Sequence, residues 1–525
     1  MKLQISKNSI LKCAILTVVT FLCSVGMSVG ATYKLTPSFT DWNLITENDD
    51  VVVGENANQT INLPQNIKCR SLSIPTKDGI VLNCQGHDIE VTQYVFLDGK
   101  SAKLTNVGTL SCGGDLTTGD RDGISIQGNN INVGGAFYLK GQNAKIDANV
   151  TCKSVTVSDK TGVYIKGSVS ATEDITLGGS GSFIEGPVSC RNIFFNKENS
   201  YIEGNVVTSG LVKFNGNNSH IIGDVDCQGE LQVGSYRSYV SGNVKANGKI
   251  TLNGQYSYIN GAVSCQNEVV LSASNYSYIK GNVDATGNVT ISGQKSYIEG
   301  NVGSAGNITL SASDYGYIKG NVDAQGDVLL SGQKSYIDGT VECDRNLTLS
   351  ANETYINGDA DVKGNITLSG QKSKVTGTAT VNGNITMSAS YTTINTVKAK
   401  SMNFTIQGYG NNNSNELPII STLILCTEAT YTKNNYLSIT KELRQSCGAK
   451  IEGNPVITST SETDCASGSD HPTLSLGESV SVTDPLDGYP LYDWYLVGSP
   501  DVLKATTNTK EWTIPGPGTY YCIVR

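Results

Sequence analysis

An aromatic residue returns along this chain at intervals of 18 to 20 residues, each time opening the phrase Tyr-Ile-x-Gly or a near variant. It stands at Tyr164, Phe183, Tyr201, His220, Tyr239, Tyr258, Tyr278, Tyr297, Tyr317, Tyr336 and Tyr355. Its glycine follows at Gly167, Gly186, Gly204, Gly223, Gly242, Gly261, Gly281, Gly300, Gly320, Gly339 and Gly358. A globular fold imposes no such metre, whereas a stack of equal coils does. Four residues after most of these glycines comes a small residue, in the order Ala171, Cys190, Thr208, Cys227, Ala246, Cys265, Ala285, Ser304, Ala324 and Cys343. The same phrase recurs upstream at 67–74, 110–116 and 150–157, and downstream around Val362, Val381 and Ala399. With looser matches near Val91 and Val133, the metre predicts an all-β chain: a long parallel β-solenoid of about 18 coils of ~19 residues over 67–406. At ~4.8 Å per strand the stack is on the order of 85 Å long.

Within one turn, Ile298 and Val302, then Ile308 and Leu310, alternate with polar or small residues. That is strand periodicity with one face buried. Glycine and asparagine in every short window argue against helix. The pattern favours three short strands per coil, with a flattened two-sheet coil as the alternative. The phrases Ala-x-Gly-Asn and Gly-Gln-Lys-Ser supply residues that tolerate sharply bent backbone between strands. The glycine of Tyr-Ile-x-Gly is expected at a further bend, where a side chain would crowd a narrow core. Residues 31–66 and 407–455 lack the metre and are expected to cap the two ends, which otherwise expose strand edges.

Residues 1–30 read as a secretory signal peptide. Lys2, Lys7 and Lys12 precede the apolar run Ala14–Val25, and Ser28-Val29-Gly30 fits a small-residue cleavage site. The run is short for a membrane span, and no later segment is apolar enough for one. The expectation is a secreted or cell-surface protein. The formal charge of −9 becomes −12 without the three signal lysines, and no basic stripe appears. Nucleic acid is therefore set aside as a partner.

Twelve of the 14 cysteines lie beyond residue 30. Cys152, Cys190, Cys227 and Cys265 fall two coils apart, or ~9.6 Å. Since a disulfide needs Cα atoms within ~7 Å, these thiols and Cys343 are expected to be free, inward and inert. No histidine or carboxylate shares their face, so a metal column is not expected. Of the three histidines, His220 fills a tyrosine slot and His87 sits in a turn beside Asp88. No Ser/His/Asp set, CxxC pair or phosphate loop occurs, and no cofactor is expected. The regular coils have no excursion long enough to build a pocket. The chain reads as a non-enzyme.

The outward positions form ladders. Tyr239, Tyr258, Tyr278, Tyr297, Tyr317, Tyr336 and Tyr355 form an aromatic column. It serves either to stabilise the stack or to face a sugar ligand. Lys280, Glu299, Lys319 and Asp338 are expected to support the register by alternating charge, each pair contributing no more than about 1 kcal/mol. A third face carries Asn288, Asn307, Asn346 and Asn365 in Asn-x-Thr sequons.

After a Ser/Thr-rich linker at 456–464, residues 465–525 change character. Trp494, and Tyr520 two residues before Cys522, together with the Val480–Val482 alternation, resemble an immunoglobulin-like β-sandwich of the type appended to secreted Bacteroidetes proteins. The resemblance implies a core tryptophan at Trp494 and a tyrosine corner at Tyr520. The usual cysteine near Val482 is missing, as is a last strand. Cys465 is the expected disulfide partner of Cys522, with Cys426–Cys447 as the competing pair. The repeat Tyr-Ile-x-Gly-Asn-Val-x-Ala-x-Gly-Asn-Val-Thr-Leu is similar to that of bactofilins, polymer-forming bacterial scaffold proteins. The early phrase Gly79–Ile89 looks like the first coils of secreted right-handed parallel β-helices. These resemblances imply a compact right-handed coil. The functional expectation is an exported structural or adhesive rod whose partners are surface glycans or other extracellular proteins. The alternatives are a carbohydrate-binding or carbohydrate-cleaving β-helix that uses the irregular early coils, and an extracellular polymer that self-associates through the solenoid ends.

Overall fold

The computed structural model describes residues 30–399 continuously, and beyond them strands and short segments between 404 and 524. The chain divides into two compact units, one ending at Asn205 and one starting at Val206. Parallel β-solenoid of about 20 turns makes up most of it, with almost no helix.

In the second unit each regular coil has three short strands, as the apolar spacing predicts. Tyr297–Ile298, Val302–Ser304 and Ile308–Leu310 form one coil, and Ile298, Val302, Ile308 and Leu310 are buried. Each strand pairs in parallel with its equivalent one coil on: Tyr297 with Tyr317, Val302 with Val322, Ile308 with Val328. Three continuous parallel sheets enclose the core, so the two-sheet alternative falls. Branched aliphatics fill it because they suit a pleated surface buried on one side.

The corner glycine has a different reason from the expected one. A Cβ on Gly300 would lie 2.5 Å from the carbonyl carbon and oxygen of Gly281. Gly281 stands in the same relation to Gly261. The space is lost against the previous coil's backbone and not inside the core.

The first unit is less regular. Its strands at Ile67–Ile74, Ile89–Leu97, Lys103–Cys112, Ser125–Val133 and Lys145–Cys152 run 8 to 10 residues. Each spans two rungs and turns the corner at a register shift, as between Asp147 and Asn149 or Leu104 and Val107. Bulged strands of this kind bend without losing the ladder on either side.

Both expected caps carry coil strands. Thr32–Leu35 pairs in parallel with Asp50–Val53, which pairs with Ser71–Ser73. Thr60–Asn62 pairs with Val81–Asn83. The segment 31–66 therefore extends the solenoid, with a short 3-10 turn at Trp42–Leu44 between Thr32–Leu35 and Asp50–Val53. In the second unit, Ile419–Leu425 and Ser438–Gln445 lie within 407–455 and pair in parallel. Val456–Ile457, placed in the linker by composition, pairs with Ser438–Ile439. These extra rungs raise the count above the 18 expected. The metre misses them because they lack both the tyrosine and the corner glycine.

Beyond them lies a small antiparallel arrangement. Tyr492–Leu496 pairs with Val502–Thr507 and with Gly518–Val524. Thr463–Asp464, also assigned to the linker, pairs with the other side of Gly518–Val524. Ser479–Ser481 pairs with Glu511–Thr513. Trp494 is buried and stands opposite Cys522.

Candidate functional site

The aromatic column forms as the metre requires. From Tyr239 through Tyr258, Tyr278, Tyr297, Tyr317 and Tyr336 to Tyr355, ring centroids are 4.6–5.0 Å apart and planes lie within 8°. His220 continues it, 4.6 Å from Tyr239 and parallel within 4°. In the first unit Phe183 and Tyr201 stack at 4.6 Å. Each ring face is thus covered by the next ring, and the column turns edges to solvent. Stacking contributes about 0.5–1.5 kcal/mol per pair beyond burial. Burial, then the neighbouring Tyr239 and Tyr278 phenols, push the Tyr258 hydroxyl up to about 12. Tyr317 is raised for the same reasons.

The charge column behaves otherwise than expected. Among the described residues no ion pair links Lys280, Glu299, Lys319 and Asp338. Lys280 Nζ instead lies 5.7 Å from the centre of the Tyr278 ring, and Lys319 Nζ 5.4 Å from that of Tyr317. A lysine two residues past the tyrosine reaches back along its own strand more easily than across a coil. Ion pairs between coils occur on other positions, as Lys249–Glu268 at 3.1 Å and Lys245–Asp226 at 3.6 Å.

Two columns were hidden in the turn phrases. Ser238, Ser257, Ser277, Ser296, Ser335, Thr354 and Ser373, each just before the aromatic slot, are fully buried. Ser277 and Ser296 share a hydrogen bond of 2.9 Å between hydroxyls, and Ser238 donates to the Gly216 carbonyl at 3.0 Å. Asparagine and aspartate form the other. Asn282 Oδ1 accepts the Asn301 N–H at 2.9 Å, Asn301 Oδ1 that of Asn321 at 2.8 Å, and Asn321 Oδ1 that of Thr340 at 3.0 Å. A parallel series runs from Asn288 to Asn307 and from Asn307 to Asp327. The sequon asparagines Asn346 and Asn365 belong to it, and Asn365 Nδ2 also donates to Asn346 Oδ1 at 3.1 Å. Each bond links neighbouring coils.

A second aromatic column, unnoticed in the sequence, occupies the turn just before the buried serine. There the backbone is left-handed once per coil. Asn143, Gly162, Gly181 and Asn199 hold this position in the first unit, and Asn218 holds it in the second. Asparagine and glycine are the residues that tolerate it. From the next coil on it is held by Arg237, Tyr256, Tyr276, Lys295, Tyr315, Lys334, Glu353, Lys372 and Tyr391, with φ between 51° and 60°. Each such residue costs about 1 kcal/mol relative to glycine. Tyr256, Tyr276 and Tyr315 are 37%, 36% and 44% exposed. Lys295 Nζ lies 5.3 Å from the Tyr276 ring centre, Lys334 Nζ 5.1 Å from that of Tyr315, and the Arg237 guanidinium 6.0 Å from that of Tyr256. Tyr256 and Tyr276 are 5.5 Å apart.

The early coils offer a groove of about 820 Å³ lined by Asp88, Glu90, Thr109, Ser111, Cys112 and Asn132, among others. Its acids are engaged. Asp88 Oδ1 accepts the Thr109 N–H at 2.7 Å, and Glu90 pairs with Lys68 at 3.1 Å. Burial raises the Cys112 thiol, which disfavours the nucleophilic thiolate.

Cys152, Cys190, Cys227, Cys265 and Cys343 are buried and free, as are Cys69, Cys84 and Cys112. Burial pushes Cys152, Cys190, Cys227 and Cys343 up to about 12. The alternation of Cys with Ala or Thr packs small side chains on one rung. Among the described residues no three His, Cys, Asp or Glu gather as a metal group, and no helix is long and apolar enough to cross a membrane. The signal-peptide residues, Cys465, Cys426 and Cys447 lie outside the described residues. Comparison with protein-family models, curated proteins and solved structures finds no match to this chain.

Proposed function

We propose that this protein is an exported, non-catalytic structural or adhesive element of the cell surface or extracellular matrix. The observation that carries this reading is the use made of the outward side chains in the second unit. From coil to coil they bind one another, as stacked tyrosines, as asparagines on backbone N–H groups and as paired charges. Coils joined by short turns leave their variation to surface side chains, which suits a repeated contact surface and not a pocket. The Ig-like reading of 465–525 is supported by the buried Trp494 on a strand that pairs with the strand carrying Tyr520 and Cys522. In this reading the tail is a contact or anchoring module, and Cys465–Cys522 is its disulfide. The likeness to bactofilins accounts for the repeat phrase, while the N-terminal signal directs the chain outward.

Immunolabelling of intact cells, with fractionation and an adhesion assay on a deletion strain, tests the proposal. Surface label and impaired adhesion or matrix integrity are expected. Retention of the chain in the cytosolic fraction overturns it. The second reading, carbohydrate cleavage in the early groove, is weakened by the engagement of Asp88 and Glu90 in bonds of their own.

A further inference from the structure

The edge of the second unit that holds Arg237, Tyr256, Tyr276, Lys295, Tyr315 and Lys334 is built against local backbone preference. Every one of these residues stands where the chain turns left-handed, and the five preceding occupants of the same turn are asparagine or glycine. Stability of the turn alone favours keeping asparagine. Over nine coils the chain replaces it with Arg237, Lys295, Lys334 and Lys372, with Tyr256, Tyr276, Tyr315 and Tyr391, and with one acid, Glu353: chiefly phenols and cations, side chains that bind ligands from an exposed edge. Backbone strain concentrated at one surface points to use of that surface.

The geometry fits a linear acidic polymer. Successive coils stand ~4.8 Å apart, so Lys295 and Lys334, two coils apart, are separated by roughly 10 Å along the stack, with Tyr315 between them. Arg237 lies three coils before Lys295, with Tyr256 and Tyr276 between. Tyr256, Tyr276 and Tyr315 are 36–44% exposed; because Tyr256 and Tyr276 stack with planes within 12° and cations lie over the ring faces, they offer solvent their edges and hydroxyls. Beside the ridge, Gln255 Nε2 bonds the Ser274 hydroxyl at 3.4 Å, which adds amide and hydroxyl groups suited to sugar hydroxyls. We propose that this edge binds an extended acidic polysaccharide of the polyuronate class along the coil axis. Its hydroxyls meet the exposed edges and phenol hydroxyls of Tyr256, Tyr276 and Tyr315, and some of its carboxylates meet Arg237, Lys295 and Lys334. The cations lie over the ring faces and keep their charge there, which leaves ring edges and hydroxyls to the ligand. Nucleic acid fits less well, since its phosphates repeat every ~3.4 Å along a strand.

This inference deepens the adhesive reading and rests on it for the ligand's setting. The test uses the full mature chain and immobilised polygalacturonate, with dextran and single-stranded DNA as comparison surfaces. Binding to polygalacturonate that weakens with salt, and little to dextran, is expected. The triple variant Tyr256→Asn/Tyr276→Asn/Tyr315→Asn and the double variant Lys295→Asn/Lys334→Asn each place a residue suited to the left-handed turn. Each is expected to lower affinity by about tenfold or more while leaving the melting temperature within a few degrees of the parent. Unchanged affinity overturns the proposal, as does absent wild-type binding or preferred retention on DNA. A large fall in melting temperature in both variants also overturns it, because the edge is then a structural ladder. Surface labelling that persists in a chain without polyuronate binding removes this proposal alone and leaves the adhesive reading standing.

Discussion

At the corner after the first rung, the early strand Lys145–Cys152 runs through as eight residues with Ala148 at its register shift. In the later coils the chain breaks between Tyr297–Ile298 and Val302–Ser304, and Gly300 sits against Gly281. The early corner keeps strand geometry and bends by a bulge, so it accepts a Cβ. The later corner brings two backbones too close for one. Its return is sameness: each coil repeats the last, and identical side chains fall on one another. Ladders of tyrosine, serine and asparagine follow from that. The early coils, varied at each corner, have Tyr94 and Phe96 exposed at 47% and 38%, with no aromatic partner among the described residues.

The sharpest way to break this contrast is to exchange the corners. Gly300→Ala is expected to destabilise the second unit on the order of 3 kcal/mol, since backbone must move. Ala148→Gly should cost only about 0.5–1 kcal/mol. Urea unfolding of both variants gives the numbers, and equal costs would erase the distinction between corners. Next in size is the ladder itself. Tyr297→Ala removes stacks of 5.0 and 4.6 Å and should cost about 2–3 kcal/mol with burial included. Tyr94→Ala should stay within about 0.5 kcal/mol.

Acid and alkali should separate the regions with smaller effects. In the first unit, Asp49 is lowered chiefly by the Thr46 hydroxyl and Asp50 chiefly by the Arg70 guanidinium. A lowered folded pKa gives stability that is full above the ordinary value of 3.8 and is lost as pH falls through the folded value. The terminal coil, Thr32–Leu35 on Asp50–Val53, should therefore loosen first in acid. Tyr258 is raised from 10.0 to about 12, so its contribution is full below pH 10 and is lost as pH rises toward 12. The ladder coils should fail in alkali. Hydrogen exchange followed across the pH range would show the order, and uniform loosening at either extreme would contradict it. The smallest change is Cys265→Ala, flanked on its rung by Ala246 and Ala285. It is expected to cost about 1 kcal/mol or less, and thiol reagent should label the parent cysteine only on unfolding.

The core was legible wherever packing sets the residue. Ile298, Val302, Ile308 and Leu310 announce three strands because each faces inward and none can be polar. Ser296 was not legible. A serine in a Gly-Gln-Lys-Ser turn has the composition of solvent, yet it is buried, and its hydroxyl bonds that of Ser277 one coil earlier. Tyr256 and Tyr276 escaped because nothing in a side chain reports the sign of its φ. The rungs at Thr32–Leu35 and Ser438–Gln445 lack the glycine corner that creates the metre. The charge column of Lys280 and Glu299 was misread for want of reach: spacing fixes where a lysine starts and not which neighbour it finds.

The asparagine column gives the stack a direction in time. Asn243 Oδ1 waits for the Ala262 N–H, and Asn282 Oδ1 for that of Asn301, 19 residues later in both cases. Wherever the series runs, a finished coil therefore ends in an acceptor whose donor has yet to arrive, and no bond in it needs a distant part of the chain. A polypeptide delivered end-first, from a ribosome or through a membrane pore, meets its template in the order of synthesis.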